Sequence, residues 1–278
     1  MGFIDAHVHV WTDDYNVYPF SKGYDPEQAV PRTILPDEIL EHARPCGVDR
    51  VVLVQMSYYK DDNRYMLKVM EDYPGVFAGI GVVDWDGEDP AAHMRQLAAS
   101  GVRGFRVFPR NVEVTSWCHG EGLGRMFATA ADEGLAICPL IDPNALPALA
   151  RRCAEFPATR VIIDHICCIG ADGEIRDDDV RALCDMAHFD QVMVKLSAFY
   201  ALGRKASPYT DLSELIERVV GAFGPDRCMW ASDAPYQLLN EHSYAASIAL
   251  IREGLDFLGD ADRQQLLQGT AESVFFRS

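Results

Sequence analysis

The chain has 278 residues, 49% hydrophobic and 24% charged, which suits a soluble globular protein and excludes disordered and collagen-like chains. Lys and Arg number 25 against 42 Asp and Glu, a net charge of −17 that repels phosphate backbones and anionic membranes, so neither nucleic acid nor membrane is an expected partner. The opening MGFIDAHVHV lacks the basic and apolar regions of a secretory leader, and no segment reaches the roughly 18 apolar residues of a membrane span, so the cytoplasm is the expected location.

The first strand-like run, "FIDAHVHVW" (3–11), carries Asp5, His7 and His9 at alternate positions, which in a regular strand places all three on one face. An irregular stretch from 12 to 35 follows, whose Tyr15, Tyr18, Phe20 and Tyr24 are candidates to cap a pocket. Seven further runs come at 49–55, 76–84, 102–109, 135–142, 160–165, 192–199 and 228–235. Helical patterns fill the gaps at 36–47, 62–74, 91–101, 124–134, 145–157, 177–189 and 211–224, and two more at 243–259 and 262–276 end the chain. The clearest is "DLSELIERVVGAFG", with Leu212, Leu215, Ile216, Val219 and Val220 on one stripe, Asp211 as the expected N-cap and Gly221 or Gly224 as the stop.

Strict alternation of strand and helix, eight times over in 278 residues and without a linker, predicts one domain over 1–278 folded as an α/β, (β/α)8 TIM barrel. A doubly wound open sheet is the rival, and the first run lacks the G-x-G-x-x-G of its nucleotide-binding versions. The eight cysteines show no C-x-x-C spacing and several sit in apolar runs, which predicts reduced core thiols.

Active groups of a barrel come from the C-terminal ends of its strands. Those ends offer His7 and His9 on the first run, His165 on the sixth and Asp233 on the eighth. Val161, Ile163 and His165 share parity, as do Met229, Ala231 and Asp233, so each polar group is expected to continue an inward row. Asp233 in "DAPY" also reads as a cap for the next turn. Lys195 and Ser197 share a face on the seventh run, and a lysine among such neighbours is expected to pair with a barrel carboxylate such as Asp5. Arg106, flanked by Phe105 and Val107, and Arg110 just beyond are candidates to bind an acid group of a substrate.

D-x-H-x-H at the start, V-I-I-D-H in the middle, V-K-L-S after it and W-A-S-D-A-P near the end together resemble the amidohydrolase superfamily. More narrowly the chain is similar to its amidohydrolase-related (amidohydrolase 2) branch, which holds pyrone-dicarboxylate and sugar lactonases. The resemblance implies catalytic roles for Asp233, His165, His7 and His9 around a hydrolytic water. It also implies substrate contacts from Ser57 and Tyr58. Metal-dependent members add a histidine on strand five or a carboxylated lysine or glutamate on strand four, and here those strands read "AICPLID" and "GFRVFPRN". The expectation is therefore that no cofactor is required, with a single zinc or manganese held by His7, His9, His165 and Asp233 if a metal is bound.

Where dicarboxylate-handling relatives carry an arginine just past strand seven, this chain has Phe199 and Tyr200. Tyr200 is thus a further expected substrate contact. The functional expectation is a hydrolase that opens a small, anionic lactone by general-base activation of water. The alternatives are a metal-dependent lyase of the same superfamily, a decarboxylase or hydratase, and a non-catalytic binder. A small molecule is the expected partner, and a homodimer is the base-rate expectation for assembly.

Overall fold

The computed structural model describes residues 2–109, 113–114 and 116–276. Its strands are β1 (Phe3–Val8), β2 (Val48–Val54), β3 (Phe77–Gly81), β4 (Val102–Val107), β5 (Ala136–Pro139), β6 (Arg160–Ile163), β7 (Val192–Leu196) and β8 (Cys228–Trp230). Each pairs in parallel with the next in chain order, as the alternation predicts. Beyond the strand ends a bridge joins Val8 to Ala234, with Asp233 N donating to His7 O at 2.9 Å and His9 N to Ala234 O at 2.8 Å. The barrel therefore closes at the level of the candidate residues themselves.

Helices α1 (Pro36–Ala43), α2 (Arg64–Asp72), α3 (Pro90–Ala99), α4 (Glu121–Glu133), α5 (Leu146–Glu155), α6 (Asp177–Asp185), α7 (Ser213–Phe223) and α8 (Tyr244–Glu253) follow the strands. α9 (Asp260–Gln264) runs through a π turn into α10 (Thr270–Phe275). α7 starts later than expected: a 3-10 turn over Thr210–Leu212 precedes it, and Asp211 accepts from Arg204 N at 2.7 Å instead of capping. Gly221 lies inside α7, and Gly224, with φ of 81°, ends it.

One apolar layer fills the barrel: Ile4 and Ala6, Val52 and Val54, Ala78 and Ile80, Ala136 and Cys138, Ile162, Met193, Met229 and Ala231. Ala271, Val274 and Phe275 of α10 join this layer, so the last helix plugs the end where the strands begin. Residues of opposite parity, such as Val51, Phe105, Ile137 and Val194, pack outward against the helices. All eight cysteines are unpaired thiols, but the core placement expected of them holds for five: Cys46, Cys168 and Cys184 are only partly buried.

Two parity arguments from the sequence need correction. Asp5 does not share the inner face with His7 and His9. Asp5 pairs with Val51 and Val8 with Leu53, three steps on β1 against two on β2, and this bulge leaves Asp5 outward while His7 and His9 turn inward. On β6 the inward residue is Ile162, whose row continues to Asp164, while Val161 and Ile163 face the helices. His165 reaches the interior because the chain turns left-handed after β6, with φ of 54°, 49°, 55° and 54° at His165, Ile166, Cys167 and Cys168. Ala198 after β7 and Asp233 after β8 are also left-handed, at 57° and 65°. Such conformations cost side-chain-bearing residues roughly 1–2 kcal/mol each, strain that the packed barrel sustains where the candidate groups sit.

Candidate active site

The structure brings the four expected catalytic residues together. His7 Nε2 lies 3.2 Å from His9 Nε2, and both are 3.4 Å from Asp233 Oδ1, with His165 Nε2 at 4.0 Å from the same oxygen. Oδ1 is buried and has no hydrogen-bond partner among the described residues, while Oδ2 accepts from the Tyr200 hydroxyl at 2.6 Å. His9 Nδ1 faces the Val54 carbonyl at 2.8 Å. A carbonyl only accepts, so Nδ1 carries a proton, and this contact turns Nε2 toward the cluster. His165 Nδ1 pairs with Ser197 Oγ at 2.9 Å. The turn after Asp233, Tyr236–Leu238, has Pro235 at its N-cap, so the Asp233 carboxylate serves this cluster and not a cap.

Beneath His7 lies an ionic layer that the sequence reading missed. Asp164 Oδ1 stands 3.0 Å from Lys195 Nζ and 3.4 Å from His7 Nδ1, and Asp164 Oδ2 accepts from Arg106 Nη2 at 2.9 Å. Lys195 thus pairs with Asp164, not with Asp5. Asp5 instead accepts from Tyr244 Oη at 2.7 Å, Ser232 N at 2.9 Å and His7 N at 3.1 Å. The signal for Asp164 was in the sequence, in its shared parity with Ile162, but the assumption that His165 pointed inward reversed the row.

Burial sets the protonation states. Burial and the Lys195 cation push His7 well below the usual imidazole range, and burial lowers His165. Burial alone would raise Asp164, but Lys195 and Arg106 hold it well below the carboxylate range. Burial would also raise Asp233, and the surrounding His165, His9 and His7 outweigh it, keeping Asp233 ionised. Asp5, without a cation, is pushed by burial up to about 6.

A cavity of about 920 Å³ opens above the cluster and is lined by His9, His165, Asp233, Arg106, Ser57 and Tyr200, all anticipated from the sequence. His7 is fully buried below it. Tyr58 stands one layer back, stacked on Phe20 at 4.5 Å, and Arg110 falls outside the described residues. Of the four aromatics expected to cap the pocket only Tyr24 lines it; Tyr15 packs on Phe20 and Tyr18 on Tyr65. Gln55, Lys60, Asp61 and Tyr236 line it unannounced. Gln55 Nε2 donates to the Lys60 and Asp62 carbonyls, shaping the loop after β2.

His7, His165 and Asp233 offer ligand atoms within 4.8 Å of one another. The three donors His7 Nε2, His9 Nε2 and Asp233 Oδ1 form a triangle of 3.2 to 3.4 Å edges. Tetrahedral zinc with bonds near 2.0–2.1 Å requires edges of about 3.3 Å, so the donor set fits one divalent ion. Phe108 and Leu140 stand where β4 and β5 end on the cavity wall, and neither is a ligand for a second ion. Arg106 Nη2, 2.9 Å from His7 Nε2, would be a cationic neighbour of any bound metal.

Among the described residues no helix is long and apolar enough to cross a membrane. An L-fucono-1,5-lactonase from Burkholderia ambifaria is 30% identical, with 96% of this chain and 93% of that protein covered. A 2-pyrone-4,6-dicarboxylate hydrolase from Comamonas testosteroni is 28% identical over 87% of this chain and 79% of its own length. A crystal structure of an amidohydrolase from Burkholderia multivorans with bound zinc superposes with a TM-score of 0.83 at 21% identity, covering 100% of both chains. The amidohydrolase family model matches residues 4–277, and with that match and the barrel-end cluster of histidines and aspartate the chain belongs to the amidohydrolase family.

Proposed function

We propose that the protein hydrolyses a small lactone, with Asp233 as the base that activates water. The observation that carries this is Asp233 Oδ1: buried, without a hydrogen-bond partner among the described residues, and ringed by the imidazoles of His7, His9 and His165 at the floor of the cavity. Water seated there gives its proton to Oδ1 as its oxygen attacks the lactone carbonyl carbon. The charge that develops on the carbonyl oxygen is met by Arg106, which lines the same wall. The acyl carbon–oxygen bond of the ring then breaks, and the Asp233 proton passes to the departing ring oxygen, leaving a hydroxy acid and the starting carboxylate.

A carboxylate held low is a proton acceptor of modest strength, which suits an activated ester better than an amide. If a divalent ion is bound, His7, His9, His165 and Asp233 hold it, and it supplies Lewis-acid polarisation. The lactone carbon is electrophilic enough for water activated by Asp233 to attack it without that ion, which the site accommodates and the reaction does not need. The cytoplasm and a homodimeric state belong to the same reading.

Among lactones, the cavity lining favours a neutral substrate over the anionic one expected from the sequence. Arg106 already serves Asp164, the other described cation on the wall is Lys60, and Asp61, Asp84 and Asp233 line the same cavity. A neutral, hydroxylated lactone of the sugar type fits this lining, and an L-fucono-1,5-lactonase among the relatives supports it. L-fucono-1,5-lactone, other neutral aldonolactones and carboxylate-bearing lactones, assayed side by side, test the reading. Neutral lactones should lead in kcat/KM by about tenfold or more, Asp233→Asn should lose about 10²-fold or more, and turnover should persist after chelation. Undiminished turnover in Asp233→Asn removes the base, and a lead for the carboxylated lactones removes the substrate class.

A further inference from the structure

We infer that Tyr200 is a positioning residue for Asp233, fixing which of its two carboxylate oxygens faces the water, and not chiefly a substrate contact. The inference rests on Asp233 being the base.

The two oxygens of Asp233 have different surroundings. Oδ2 is bound by the Tyr200 hydroxyl at 2.6 Å, whereas Oδ1 faces the imidazole nitrogens and has no hydrogen-bond partner among the described residues. Rotation about the Cβ–Cγ bond of an aspartate is broad and nearly two-fold, so a carboxylate without a directional partner has no reason to keep one oxygen forward. The backbone does not supply that direction, since Asp233 sits left-handed at φ of 65° with its N–H spent on His7 O. The phenol does. Its hydroxyl is the donor of the pair, since a carboxylate oxygen accepts.

Tyr200 is itself held. Its ring lies 6.4 Å from Tyr236 and 5.9 Å from His242, and its segment is tied to the segment after β6 where Gly203 N donates to Gly170 O at 2.9 Å. The hydroxyl therefore meets Asp233 from a fixed direction, and removing it frees the carboxylate while leaving the aromatic packing in place.

Tyr200→Phe tests this with L-fucono-1,5-lactone, or with whichever lactone of the panel above turns over fastest. A hydrogen bond to a charged group implies a kcat loss of about 10- to 100-fold, with KM within about twofold and little further loss when the change is made in Asp233→Asn. A raised KM with kcat intact, or the full loss repeated in the Asp233→Asn background, overturns the inference. Wild-type turnover by Asp233→Asn alone removes the base reading instead, whereas a dead Asp233→Asn with an unaffected Tyr200→Phe removes this inference alone. Crystal structures give a reading independent of turnover: in Tyr200→Phe the Asp233 carboxylate should be turned or split between two orientations, and an unchanged orientation counts against the proposal.

Discussion

Lys195 Nζ and Asp164 Oδ1 face each other at 3.0 Å in the middle of the barrel, and neither side chain has any exposure. Arg106 of β4 reaches Asp164 from the cavity wall, so two cations and one carboxylate surround His7, with Arg106 at its Nε2 and Lys195 and Asp164 at its Nδ1. Removing one member of such a group leaves an uncompensated buried charge. Asp164→Asn should therefore destabilise the protein by about 3–5 kcal/mol, read as a lowered denaturation midpoint in urea. Adding Lys195→Met to that variant should recover part of the loss. A double variant no more stable than Asp164→Asn would show that the pair is not what holds the layer.

Metal binding has its own signature. Zinc titrated into chelator-treated protein should saturate at one ion per chain by calorimetry, because the His7, His9 and Asp233 donors make one tetrahedral face. His9→Ala should abolish saturable binding. Replacing Arg106 by Met should tighten it, since a positive neighbour at His7 is removed.

Asp5 gives a pH-dependent prediction whose sign is opposite to that of an ion-paired carboxylate. Its folded pKa is raised from 3.8 to about 6, so between those values the folded state holds the proton more tightly than the unfolded state. Stability from this group is therefore present at low pH and is lost as pH rises to about 6, by roughly 3 kcal/mol as an upper bound. Asp5→Asn removes this dependence. The melting temperature of Asp5→Asn relative to wild type should climb between pH 4 and pH 7, and a difference that stays flat with pH contradicts the assignment.

Gly170 and Gly203 join the segments that follow His165 and Tyr200. A Cβ on Gly170, at φ of 85°, would come within 2.9 Å of Gly203 N. Gly170→Ala should cost about 1 kcal/mol or more from backbone strain alone and should lower kcat through displacement of Tyr200, with cavity contacts from Ser57 untouched. Unchanged kcat in a destabilised variant would separate this contact from the site.

Alternating apolar runs and helical stripes determined eight strands in chain order, and the rule that barrels work from their strand ends picked out His7, His9, His165 and Asp233. The eight strands, and the meeting of those four side chains at one end of the barrel, follow because period and order are local properties that a barrel converts directly into position. What failed needed distances between segments. A one-residue bulge in β1 turned Asp5 outward, and a left-handed turn carried His165 inward and gave its row to Asp164. Parity counts assume an unbroken pleat, and the strands of this barrel break at the ends where the chemistry sits. The partner of Lys195, the division of Asp233 between Tyr200 and the imidazoles, and the withdrawal of Tyr58 behind the wall were decided by ring closure, because each depends on how residues tens of positions apart meet across a common axis.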